Sequence, residues 1–177
     1  MEVITLAGYF ILAAFMLYGP YGWCWFRKEN KRDYGLHWEM DRLDLLALFL
    51  LTVVTLLPLT FIAVNWPGQN LPRHIGSVTF FRLATSGLIA AIVEETFFRG
   101  LIHTIIRKHS GPFVTIFSVS LLFALCHLFL AMHWLRLATF FPALVMGFLR
   151  EKSGSVFPGI IYHGIGNLWA IWFFPGF

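Results

Sequence analysis

Nine acidic residues occur in the 177-residue chain, and seven of them, Glu2, Glu29, Asp33, Glu39, Asp41, Asp44 and Glu151, fall at a terminus or between apolar runs. The other two, Glu94 and Glu95, stand together inside an apolar segment. A charge near the centre of a bilayer costs about 2.5 to 3.5 kcal/mol on insertion scales, so such a pair marks either a compensated cluster or a reactive site. Arg99 follows Glu95 by four residues, one helical turn, where carboxylate and guanidinium can pair. Glu94 points about 100° away around the same helix.

Two later apolar segments carry more groups of this kind. His127 lies four residues after Phe123, and His163 and Asn167 are spaced i, i+4, so that both project from one helix face. Each element has a bland alternative. Arg99 could neutralise both carboxylates, His127 could donate to a nearby backbone carbonyl, and Gly159, Gly164 and Gly166 could serve only close helix packing. Depth brings the groups together: at 1.5 Å per residue, Glu94, His127 and Asn167 lie roughly 18 to 22 Å from the same ends of their helices, and His163 roughly 12 Å.

The elements that must hold these side chains follow from composition. The chain is 58% hydrophobic, 18% aromatic and 12% charged, against about 25% charged residues in a typical soluble domain. Hydropathy divides it into six helical segments, about 3 to 19, 44 to 65, 80 to 107, 113 to 133, 134 to 150 and 156 to 174. Gly19 with Pro20, the Pro67 to Pro72 stretch, Gly111 with Pro112, and Gly154 with Pro158 punctuate the divisions. No proline or glycine marks the fourth break, near Met132 to Arg136. The expected fold is all-α, a polytopic transmembrane bundle of about six spanning helices forming one membrane domain over 1–177.

For six spans, ten basic residues (Arg27, Lys28, Lys31, Arg32, Arg42, Arg99, Arg107, Lys108, Arg150, Lys152) fall on one side and three (Arg73, Arg82, Arg136) on the other. The positive-inside rule then places both termini outside the cytoplasm. The net charge of +4 lies in short loops without a basic face, which argues against nucleic acid as a partner. Cys24 and Cys126 have neither CxxC nor Cys/His spacing, so no disulfide framework or zinc finger is expected. The amino terminus lacks a basic n-region and reads as a retained first span. The first loop, with Trp23, Trp25, Tyr34 and Trp38 among mixed charges, suits the headgroup boundary. His37, His74, His103, His109 and His133 fall in loops or near helix ends and are expected to be interfacial.

Glu-Glu-x-x-x-Arg, Phe-x-x-x-His and His-x-x-x-Asn, in this order on successive apolar helices, resemble the CPBP family of CAAX proteases and bacteriocin-processing enzymes, also called the Abi family. The resemblance covers residues 80–174 as a catalytic core, and all six motif positions match. It implies a glutamate-type intramembrane protease in which Glu94 and His127 activate water and His163 and Asn167 stabilise the oxyanion. Glu95, Arg99 and Phe123 would shape the site.

The expected activity is cleavage of a protein or peptide substrate near its carboxyl-terminal tail, close to the membrane, with membrane lipids as further partners. No cofactor is favoured. Zinc held by Glu94, His127 and His163 is the alternative, although no His-Glu-x-x-His is present. A non-catalytic scaffold or bacteriocin-immunity role is the other alternative, and a proton-coupled carrier ranks below it. No aspartate lies in a span and no Gly-x-Ser-Gly occurs, which sets aspartyl and serine chemistries lower. Compact size without an organelle signal points to a multi-pass protein of the bacterial cytoplasmic membrane.

Overall fold

The computed structural model describes residues 6–68, 70–131 and 134–174. Glu2, the expected start of the first segment at residue 3, and His133 at the expected fourth break lie outside these residues. Within them the fold is all-α. Its elements are α1 (Leu6–Arg27), α2 (Arg42–Val64), α3 (Ser77–Glu95), a π-helical segment (Thr96–Ile102), α4 (His103–Arg107), α5 (Pro112–Ala131), a 3₁₀ turn (Trp134–Thr139), α6 (Phe140–Ser153) and α7 (Phe157–Phe173). The column from α3 to α4 is continuous over Ser77–Arg107, so six helical columns make up the bundle.

The expectation of six spanning helices is corrected. Among the described residues two helices are long and apolar enough to cross a membrane, Arg42–Val64 and the 31-residue Ser77–Arg107 column. The apolar stretch Pro112–Leu128 is shorter than that class. With 14 and 17 residues, α6 and α7 fall below the roughly 20 that hydrocarbon requires. Length is not the obstacle for α1, whose 22 residues include three tyrosines, two tryptophans, three glycines and a proline.

Helix α1 also runs past the expected stop at Gly19 and Pro20. Proline removes only one backbone donor, and Pro20 is buried. The added turns are held by packing, because Cys24 joins a buried cluster with Tyr34, Leu36, Leu101, Val156 and Ile160. The helix stops at Lys28, whose φ of 54° is left-handed, and Glu29 N–H closes the end on Cys24 O at 3.0 Å. At its start α2 has a reciprocal capping box of Asp41 and Asp44.

The main core joins Leu48 of α2, Phe98 of the π-helical segment, Val119 and Phe123 of α5, Ala143, Met146 and Leu149 of α6, and Tyr162 of α7. Helix α3 packs along α7, and α5 along α6. The chain between α1 and α2 is built into the bundle: Gly35 O accepts from Val156 N–H at 3.0 Å, and His37 O accepts from Ser155 Oγ at 2.7 Å. These pairings bring the start of α7 under the π-helical segment, opposite Glu95.

Candidate active site

Helix α3 delivers its two adjacent carboxylates about 100° apart, and the neighbours of each differ. Glu95 is fully buried and pairs with the equally buried Arg99, whose Nη1 donates to Glu95 Oε1 at 2.9 Å. Arg99 Nη2 donates to Ala143 O of α6 at 3.1 Å. The guanidinium lies 4.5 Å from the centroid of the Phe123 ring, a cation–π contact in a desolvated setting. Arg99 sits within the π-helical segment, whose ladder is widened to the five-residue step in which His103 N–H bonds Phe98 O.

The same Glu95 Oε1 faces His163 Nδ1 of α7 at 3.0 Å. A carboxylate already paired with arginine can only accept, so His163 carries a proton on Nδ1. This close approach depends on Gly159, one turn earlier on α7, where an added Cβ would stand 3.0 Å from Glu95 Oε2. The opposite nitrogen, His163 Nε2, is then turned toward Glu94, 3.9 Å from its Oε2.

His127 approaches from α5. Its Nδ1 lies 3.0 Å from Phe123 O, and a carbonyl only accepts, so Nδ1 carries the proton and Nε2 presents a lone pair in the neutral ring. That Nε2 lies 3.6 Å from Glu94 Oε2. The Phe123 ring packs against both imidazoles, with centroids at 4.3 Å for His127 and 5.8 Å for His163. Glu94 Oε2 is thus a buried oxygen with no hydrogen bond of its own among the described residues, facing two imidazole nitrogens at distances that suit one bridging water better than direct bonds.

The structure therefore groups Glu94, His127 and His163, with Glu95, Arg99 and Phe123 around them. It sets Asn167 differently. Asn167 Nδ2 donates to Gly87 O of α3 at 2.9 Å, two turns before Glu94, and a Cβ on Gly87 would come within 3.1 Å of Asn167 Cβ. Among the described residues no cluster of three or more His, Cys, Asp or Glu side chains has the arrangement to hold a metal ion.

Several contributors carry no sequence signal. Ala143 acts through its carbonyl, and Gly159 through the absence of a side chain. His103, expected at an interface, is buried with Nε2 at 2.9 Å from Glu151 Oε1, which also accepts from Arg107 Nε at 3.0 Å. A charged residue late on α6 and a histidine within an apolar segment were the only available signs of that second polar cluster.

A family model described as Rce1-like, type II CAAX prenyl endopeptidase, matches residues 76–169, more than half of the chain. The match opens one residue before α3 and closes within α7, so it includes every motif residue. No curated protein and no solved structure matches the chain.

Proposed function

The chain belongs to the Rce1-like family of type II CAAX prenyl endopeptidases, and from that membership we propose that it is a glutamate-type intramembrane endopeptidase cleaving a protein substrate near its carboxyl-terminal tail. The observation that carries this reading is the buried, unpartnered Glu94 Oε2, 3.6 Å from His127 Nε2 and 3.9 Å from His163 Nε2.

A water held between Glu94 and the His127 Nε2 lone pair gives its proton to Glu94 as its oxygen attacks the scissile carbonyl carbon. His163, held through Nδ1 by the Glu95 carboxylate, turns Nε2 toward the oxygen that becomes negative and donates to it once the substrate is seated. Asn167 has a second amide hydrogen beyond the bond to Gly87 O and supplies a further donor when substrate is seated. Such donors are worth about 2.7 to 4 kcal/mol each in the transition state. The C–N bond then breaks, and the Glu94 carboxyl returns its proton to the leaving amine. Glu95 and Arg99 hold the His163 ring without touching substrate.

The setting proposed for this chemistry is a membrane, reached as a multi-pass protein. Support comes from α2, which exposes Leu43, Leu46, Phe49, Leu50, Val54, Leu57 and Phe61, an apolar face larger than soluble monomers present. Lipid is the partner of that face, and residues 80–174 are the catalytic core within one membrane domain.

The test uses the full chain in nanodiscs with an internally quenched peptide bearing a farnesylated cysteine three residues from its carboxyl end, beside its unprenylated counterpart. Glu94→Gln, isosteric but unable to accept the proton, should lower kcat by at least about 10²-fold, and His127→Ala should fall similarly. Cleavage by Glu94→Gln at the wild-type rate would remove Glu94 as the base. Failure of the wild type on both peptides and on a peptide library would move the reading to a membrane scaffold or immunity role.

A further inference from the structure

By sequence Arg150 is one more basic residue flanking an apolar run, yet its side chain is buried, with 8% of the residue exposed. Every hydrogen bond its guanidinium makes among the described residues runs to a neutral oxygen. Nε donates to Arg99 O at 3.1 Å, and Nη2 to Asp33 O at 3.3 Å and Thr104 Oγ1 at 3.4 Å. Withdrawing a guanidinium from water is costly, and these acceptors, rather than a carboxylate contact, compensate it.

The Arg99 carbonyl has a reason to need an outside donor. His103 N–H bonds Phe98 O, the five-residue step of a π-helix. Where that step reverts to the four-residue ladder of α4, the next carbonyl along loses its backbone donor. Arg99 O stands at that reversion, and Arg150 Nε donates to it. The return contact is Arg99 Nη2 to Ala143 O. Ala143 and Arg150 stand two turns apart on one face of α6, so each arginine grips the backbone of the other's helix. Gly35, at φ +65°, closes the far side, since a Cβ there would stand 2.6 Å from the Arg150 Nε and Cζ atoms.

We propose that Arg150 is a positioning residue for the active site: with Arg99 it forms a reciprocal strap between α6 and the π-helical segment that holds Glu95, and through Glu95 the His163 ring. Its catalytic consequence rests on the endopeptidase reading. Arg99 is fixed at both ends, by its carbonyl and by its guanidinium. Glu95 Oε1 receives both Arg99 Nη1 and His163 Nδ1, so any shift of Arg99 reaches the nitrogen that faces Glu94.

Arg150→Lys keeps the charge but loses the planar fork, and Arg150→Met removes both. Lys152→Gln is the control, because Lys152 pairs with Asp44 at 2.8 Å at the same end of α6 and, among the described residues, forms no hydrogen bond or ion pair with Arg99 or Arg150. Each variant is compared with wild type by circular dichroism, by kcat and KM on the farnesylated quenched peptide, and by ¹⁵N NMR of the His163 ring, assigned through His163→Gln. Arg150→Lys should remain folded, lose about tenfold to a hundredfold in kcat with KM nearly unchanged, and lose the fixed Nδ1-protonated signature of His163. Lys152→Gln should change none of these. Wild-type kcat and an unchanged His163 signature in both arginine variants would overturn the strap, as would unfolding of Arg150→Lys. Should the wild type cleave nothing, the endopeptidase reading fails and the His163 signature alone decides the strap.

Discussion

At the scale of single residues, the arrangement turns on one oxygen. Glu95 Oε1 receives donors from Arg99 and His163, while Oε2 is crowded by α7 at Gly159. Gly159→Ala would push a methyl against that carboxylate. It should destabilise the fold by about 1 to 3 kcal/mol, the usual result of overpacking, and slow cleavage through displacement of His163. Paired thermal melts and turnover on the quenched peptide check this, and an alanine variant as stable and active as wild type would show that the contact has slack. The ionisable side chains that meet, Glu94, Glu95, Arg99, His127 and His163, could be picked out of the sequence because such groups are so few in apolar segments. Their supports could not. Nothing in a sequence says which carbonyl Arg99 will reach, that Gly87 O will take the Asn167 amide, or that Arg150 turns inward rather than toward headgroups.

At the scale of elements, hydropathy located six helical columns but not their irregularities. A 3.6-residue period places Glu95 and Arg99 on one face, and the pair forms, yet Arg99 belongs to a π-helical segment whose widened ladder no residue pattern announces. Pro20 looked like a stop, and the helix passes it because Cys24 packs against Tyr34 and Leu36, partners that adjoin only in the folded chain. The segment after α1 is tied down at Glu29, which pairs with Lys108 Nζ at 2.7 Å and accepts from the Tyr34 hydroxyl. The hydrogen bond from Lys108, followed by that from Tyr34, holds the Glu29 carboxyl below its ordinary range. A lowered carboxyl favours the folded state above the ordinary carboxylate pKa, and that contribution fades as pH falls through the lowered value. Hydrogen exchange over residues 28–41, corrected for intrinsic rates, should show protection at pH 7 that diminishes below about pH 4. Glu29→Gln should show the weaker protection already at pH 7, and a pH-independent profile in the wild type would dissociate the segment from this pair.

At the scale of the whole molecule, composition named the class of fold but overcounted its spans. Apolar residues fill all six columns, whereas two, Arg42–Val64 and Ser77–Arg107, combine the length and hydropathy that crossing requires. Short α6 and α7 carry Ala143, Arg150, Gly159 and His163, which lie against Glu94, Glu95 and Arg99 of the long column. A reactive carboxylate held by one long helix and completed by shorter neighbours is the account's central claim. Its most direct test compares membrane proteomes, with peptide termini resolved, from cells carrying the wild type and cells carrying a stably expressed Glu94→Ala variant. The account predicts that a defined set of precursors accumulates uncut in the variant, with the lost termini mapping near carboxyl-terminal tails. Identical termini in the two strains, with expression of both proteins confirmed, would contradict it.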